Sequence, residues 1–194
     1  MLRRRHLAAA FPLFASLALG LSACGGSSAP PASVTVRTCS EVGSGGLAAD
    51  YRERALVLGP LALSDVRTYE ASQPLPGHVG KRYGAYEIIA VVRHGAKVAI
   101  RLPRSEWATV GLLYDPSKFR DDGAYLIKDM ARVARLEACK SASFNHGVSQ
   151  FDGGFVVTRP QCVHFTVTAG GRTYAGEFPA AAACKGWRPV HASA

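Results

Sequence analysis

Apolar and polar residues alternate over 97–102 (KVAIRL), with Val98, Ile100 and Leu102 on one side and Lys97 and Arg101 on the other. This is the pattern of a strand with one buried face. Residues 85–92 (AYEIIAVV) are almost continuously apolar, which suits a strand covered on both faces. Arg93-His94-Gly95-Ala96 stands between the two, and Gly95 there predicts a tight turn and a hairpin. Alternation returns over 162–169 (CVHFTVTA): Val163, Phe165 and Val167 point inward, and His164, Thr166 and Thr168 point out. Gly170-Gly171 and the run 172–178 complete a second predicted hairpin. Phe155–Thr158 reads as a short strand stopped by Pro160, and 131–139 suits a strand or a helix, its weak alternation favouring a strand. Residues 55–63 read as one strand kinked at Gly59-Pro60. Helical periodicity is poor. Only short turns are expected around Ser105–Val110 and Asp115–Phe119, and Asp121-Asp122-Gly123 reads as a loop turn. Many short strands separated by turn signals predict a mostly β, antiparallel sandwich or barrel-like domain.

The N-terminus has a different pattern. Residues 1–6 (MLRRRH) are charged, 7–21 are apolar, and Pro12 interrupts a stretch short for a membrane span, which takes about 20 residues. Leu21-Ser22-Ala23-Cys24 follows. These four residues resemble the lipobox of bacterial lipoproteins, in which the signal is cut before the cysteine and a diacylglyceryl group is attached to its sulfur. The resemblance implies a signal peptide over 1–23, lipid attachment at Cys24, and a mature chain held at the outer face of the cell membrane. Gly, Ser and Pro crowd 25–33. We therefore expect a flexible tether over 24–38 and a globular domain over 39–190.

Composition adjusts this picture in two respects. Arg3, Arg4 and Arg5 fall in the signal and no acid does, so a formal charge of +9 over 194 residues drops to +6 for the mature chain. The remaining basic residues are scattered, with no run of three, which argues against a nucleic-acid partner. The cysteines also constrain the fold. With Cys24 carrying lipid, Cys39, Cys139, Cys162 and Cys184 remain, an even number that reads as two disulfides in an exported protein. Of the three possible pairings we expect Cys139–Cys162, joining neighbouring strands, and Cys39–Cys184, joining the ends of the domain.

Residues 84–165 resemble a set of uncharacterised exported actinobacterial proteins. The resemblance lies in Gly84-Ala85-Tyr86, Val92–Gly95, Leu112-Leu113-Tyr114-Asp115-Pro116, Cys139, Phe151-Asp152-Gly153-Gly154-Phe155-Val156-Val157, Pro160 and Cys162. It implies no activity, and it favours Cys139 and Cys162 as partners.

Signals for chemistry are sparse. There is no G-x-S-x-G elbow or zincin-type histidine pair, and Gly43–Gly46 lacks what a phosphate loop needs around it. Cys162 and His164 would share a strand face, but an exported thiol oxidises and no close-spaced ligand pair accompanies them. The sequence thus points to no catalytic residue, cofactor or metal. Residues 144–155 mix aromatics, two amides and a histidine with glycines. Phe144, Asn145, His146 and Phe151 are candidates for a ligand-facing loop. The alternative is a structural loop whose phenylalanines plug the core while Gly153-Gly154 allows a bulge. The expected function is a binding or interaction module, with an envelope protein, wall polymer or small ligand as partner; the alternative is an envelope hydrolase. Metabolic palmitate labelling should mark the wild-type chain and leave Cys24→Ser unlabelled. A wild-type chain that is processed normally and takes no label would refute the anchor.

Overall fold

The computed structural model describes residues 31–43, 47–48, 50–79, 82–140 and 147–189. Fourteen strands occur among them. These are β1 (Val34–Arg37), β2 (Leu56–Leu58), β3 (Leu61–Leu63), β4 (His78–Val79), β5 (Arg82–Tyr83), β6 (Ala85–Glu87) and β7 (Ala90–Arg93). Then come β8 (Lys97–Arg101), β9 (Val110–Leu113), β10 (Val133–Glu137), β11 (Val148–Phe151), β12 (Gly154–Val157), β13 (Gln161–Ala169) and β14 (Arg172–Ala180). The one α-helical element among the described residues is a single turn, Tyr51–Arg54, and no helix there is long and apolar enough to cross a membrane.

The strands form a five-stranded sheet (β1-β10-β8-β13-β14), a four-stranded sheet (β11-β7-β3-β2), a three-stranded sheet (β6-β12-β9) and the small β4-β5 pair. The fold is mostly β and sandwich-like, and no sheet closes into a barrel. The main core lies between the five-stranded sheet and the two smaller ones. Ile100, Leu136, Val163, Phe165, Val167 and Phe178 enter it from one side; Leu61, Leu63, Val92, Leu112, Phe155 and Val157 enter it from the other. Phe155 spans the gap, with ring centroids 5.3 Å from Phe165 and 5.2 Å from Phe178. Such pairs add to what area burial alone contributes. The other faces of the smaller sheets are covered too. Ala62, Val91 and Val148 pack under Tyr51 and Ile89, and Leu113 and Val156 pack under Tyr125 and Met130.

The β13–β14 hairpin forms as its alternation predicts. Gly170 and Gly171 both have left-handed φ, 54° and 76°, which a two-residue primed turn requires and glycine supplies without strain. Residues 85–92 and 97–102 do not form a hairpin. The apolar run divides into β6 and β7, and the turn at Gly95 carries the chain from the four-stranded sheet into the five-stranded one. The reason lies in the burial patterns. β7 is covered on both faces, with Ala90 and Val92 in the main core and Val91 in the second cluster, whereas β8 has a single buried face. Residues 55–63 are two strands rather than one kinked strand. Gly59 takes a φ of 62° and Pro60 follows, making a two-residue turn between β2 and β3.

The domain also starts earlier than the expected tether boundary at residue 38. β1 lies parallel to β10, with Val34 opposite Val133 and Arg37 opposite Leu136, and is the single parallel pair among the described strands. Thr35 and Arg37 are buried there, and the Ser33 carbonyl accepts from the amides of Arg132 and Val133. Glycine and proline frequency marked the segment before residue 33; the short run VTVR after it carries its own alternation.

The disulfides pair as Cys39–Cys139 and Cys162–Cys184, not as Cys139–Cys162 and Cys39–Cys184. Topology decides this. β8 lies between β10 and β13, so Cys139 and Cys162 are not on neighbouring strands. Parallel β1 and β10 leave their sheet at the same end, which puts Cys39 beside Cys139 with Cα atoms 4.7 Å apart. Cys162 opens β13 and Cys184 follows β14, so the second bond closes the open end of the hairpin. In the chain-entropy account, removing the first bond costs about 4–5 kcal/mol and removing the second about 3 kcal/mol. Non-reducing peptide mapping should recover these two pairs. Urea unfolding of Cys39→Ala/Cys139→Ala should show the larger loss, and a Cys139–Cys162 peptide would contradict the topology.

Candidate functional site

Two constellations stand out among the described residues. The first is built around the turn between β11 and β12. Phe151 is fully buried and points into the main core, away from the cleft described below. Phe144, Asn145 and His146 lie outside the described residues, as does Cys24. Asp152 and Gly153 turn outward after Phe151, and Gly154 then begins β12. A Cβ at Gly154 would run into the Tyr86 carbonyl, and one at Gly153 would meet the Leu113 carbonyl and the Tyr114 ring. Both glycines are needed because backbone passes backbone here.

Arg37 holds this turn from below. It is 4% exposed. Its Nη1 donates to the Tyr114 carbonyl at 2.8 Å and the Asp152 carbonyl at 3.4 Å, and its Nη2 donates to the Glu41 carbonyl at 2.6 Å. Nε lies 3.5 Å from the Glu41 carboxylate, and the guanidinium sits over the Phe151 ring at 5.8 Å. Tyr114 continues the network, donating its hydroxyl to the Ile88 carbonyl at 2.9 Å; burial pushes this phenol well above its usual range. Ile88 lies between β6 and β7, where the chain changes sheets, and its amide donates to the Gly153 carbonyl.

Above this network opens a cleft of about 520 Å³. Ile89, Leu113, Ala85, Tyr125 and Pro76 supply apolar wall, and Phe119, 42% exposed, stands at the mouth. Three charged residues also line it: Glu87, Asp152 and Arg120. Arg120 is occupied by Asp122, with Nε 2.9 Å from one oxygen and Nη2 3.1 Å from the other. Those bonds, with the Ala124 amide, hold the Asp122 carboxyl well below the usual carboxylate range. Arg82 makes a second ion pair with Asp122 at 3.1 Å. The Asp121-Asp122-Gly123 turn is therefore a fixed rim, and Glu87 and Asp152 leave the cleft with acidic character.

The second constellation lies on the open face of the five-stranded sheet. Outward alternation along β13 exposes His164, and the register places it opposite Glu177 of β14. Glu106, in the 3-10 turn Arg104–Glu106 after Pro103, is 8% exposed. Its Oε1 accepts both from the His164 amide at 2.9 Å and from His164 Nδ1 at 2.8 Å. Nε2 of the ring lies 3.8 Å from Glu177 Oε2, beside a groove of about 540 Å³ that Arg101 also lines. Cys162 is close by, but its sulfur belongs to the disulfide. His94, by contrast, serves the backbone, with Nε2 2.9 Å from the Val148 carbonyl.

No protein-family model matches the chain, and no curated protein or solved structure matches it.

Sequence reasoning missed Arg37, Glu106 and Glu177. The Glu177 position was recoverable, because counting outward from the two-residue loop at Gly170-Gly171 puts residue 177 opposite His164. Nothing local marks Arg37 or Glu106, whose partners lie up to 115 and 58 residues away.

Proposed function

We propose that the chain is a lipid-anchored binding protein of the cell envelope, held at the outer face of the membrane through Cys24, and that the cleft beside Phe119 is its ligand seat. The observation that carries this reading is the cleft itself. Its size falls in the range of small-ligand sites, about 300–1,000 Å³, and its walls are mainly apolar with a few polar groups at fixed places. Glu87 and Asp152 complement a positive group, and Ile89, Leu113 and Phe119 complement an apolar body. The ligand is accordingly a small amphiphile with a cationic end, presented by the envelope or by an envelope protein. The lipobox and the two disulfides support the extracytoplasmic setting.

A hydrolase is the second reading, and the Glu106–His164 pair is the observation that favours it, because a carboxylate on Nδ1 orients an imidazole for proton transfer. It ranks second because no hydroxyl or free thiol among the described residues hydrogen-bonds to His164, and the nearby Cys162 is oxidised.

The purified mature domain should bind the apolar dye N-phenyl-1-naphthylamine saturably at one site. Octyltrimethylammonium should displace it at least tenfold more effectively than octanoate. Ala85→Trp, which fills the cleft, should abolish dye binding, and Phe119→Ala should weaken it. Equal displacement by the two amphiphiles would remove the acidic selectivity, and unchanged dye binding by Ala85→Trp would remove the cleft from the reading.

A further inference from the structure

The open face of the five-stranded sheet carries an arrangement that the cleft does not use. We propose that His164 Nε2 and the Glu177 carboxylate form a seat for a divalent transition-metal ion of the zinc class, with Glu106 as the positioning residue. Three features of the geometry support this. The first is orientation. A Glu106 carboxylate oxygen can only accept, so its 2.8 Å contact places a proton on Nδ1 and turns Nε2 away from Glu106, toward Glu177. A carboxylate on the far nitrogen is also the usual partner of a metal-bound histidine; it fixes the ring and raises its basicity.

The second feature is distance. Nε2 and Glu177 Oε2 face each other at 3.8 Å, too far apart for a hydrogen bond and near the spacing of two ligands on one ion. Two donors bound tetrahedrally to zinc at about 2.1 Å lie roughly 3.4 Å apart, so a small side-chain rotation brings both onto one ion. The third is the scaffold. The two ligands are cross-strand neighbours in the longest hairpin among the described residues, tied at its open end by Cys162–Cys184, so their backbone positions are held without a metal. An imidazole nitrogen with a carboxylate oxygen suits zinc or copper better than calcium or magnesium.

The side chain of His164 is 57% exposed and that of Glu177 40% exposed, so an ion can reach them from solvent. Two protein ligands leave positions for water or for an anionic ligand, and Arg101 in the same groove is placed to meet an anion there. Cys162 adds no ligand while its disulfide is intact. This seat is separate from the cleft and stands whether or not the cleft binds an amphiphile.

The test is calorimetric titration of the untagged, oxidised mature domain with zinc chloride, paired with nitrogen NMR of the His164 ring. The wild type should bind one zinc ion, and the Nε2 resonance should move on binding while Nδ1 stays protonated. His164→Gln and Glu177→Gln should each lower affinity at least tenfold. Glu106→Gln should weaken binding and shift the imidazole tautomer ratio. If either His164→Gln or Glu106→Gln fails to fold, Glu177→Gln keeps the test, since that side chain lies on the open face. Affinity unchanged in Glu177→Gln would overturn the proposal, as would an Nε2 resonance insensitive to zinc. A His164 imidazolium that bridges the two carboxylates at neutral pH and takes no zinc would overturn it as well.

Discussion

A buried guanidinium organises one end of this domain. Taking an arginine out of water costs several kcal/mol, and the cost is offset only where donors meet acceptors closely. Arg37 meets it through its two terminal nitrogens, which reach the carbonyls of Tyr114, Asp152 and Glu41 above the Phe151 ring; its buried Nε makes no hydrogen bond and has only the Glu41 carboxylate 3.5 Å away. The Tyr114 and Asp152 carbonyls lie just past the ends of β9 and β11, and the Glu41 carbonyl closes the 3-10 turn Cys39–Glu41. An apolar residue of similar size would fill the space but leave the buried Tyr114 carbonyl without this donor.

The consequences run outward from that point. Arg37 sits in β1, so the clamp joins the edge of the five-stranded sheet to the ends of β9 and β11 in the two smaller sheets. Two residues further on, Cys39 is bonded to Cys139 at the end of β10, which fixes β1 covalently at the same end. Tyr114 and Gly153, positioned by the clamp, both bond Ile88, where the chain passes from β6 to β7. Asp152 and Gly153 then form part of the cleft wall. The candidate ligand seat thus depends on an arginine that does not line it.

How much of this was legible in the sequence depends on range. The β13–β14 hairpin could be read because alternation and a Gly-Gly turn are local signals. β7 and β8 were both found as strands, but assigning them to one hairpin failed because sheet membership depends on what covers each face, and that is set by distant segments. The disulfides failed for the same reason, since the pairing follows from β8 lying between β10 and β13. Phe151 was noticed as one aromatic in a Gly-rich loop, but its direction is set by the space between sheets. The His164–Glu177 pair was implicit in the hairpin register, while Glu106 reaches His164 from a short turn with no periodic signature.

The central claim is that the Arg37 clamp holds the turn on which the cleft is built. Hydrogen exchange of Arg37→Met against wild type, with octyltrimethylammonium binding measured on the same samples, tests it most directly. The account predicts faster exchange in β1 and across residues 148–157, weaker amphiphile binding, and unchanged protection in the β13–β14 hairpin. Full protection of the 148–157 turn together with undiminished binding would contradict it.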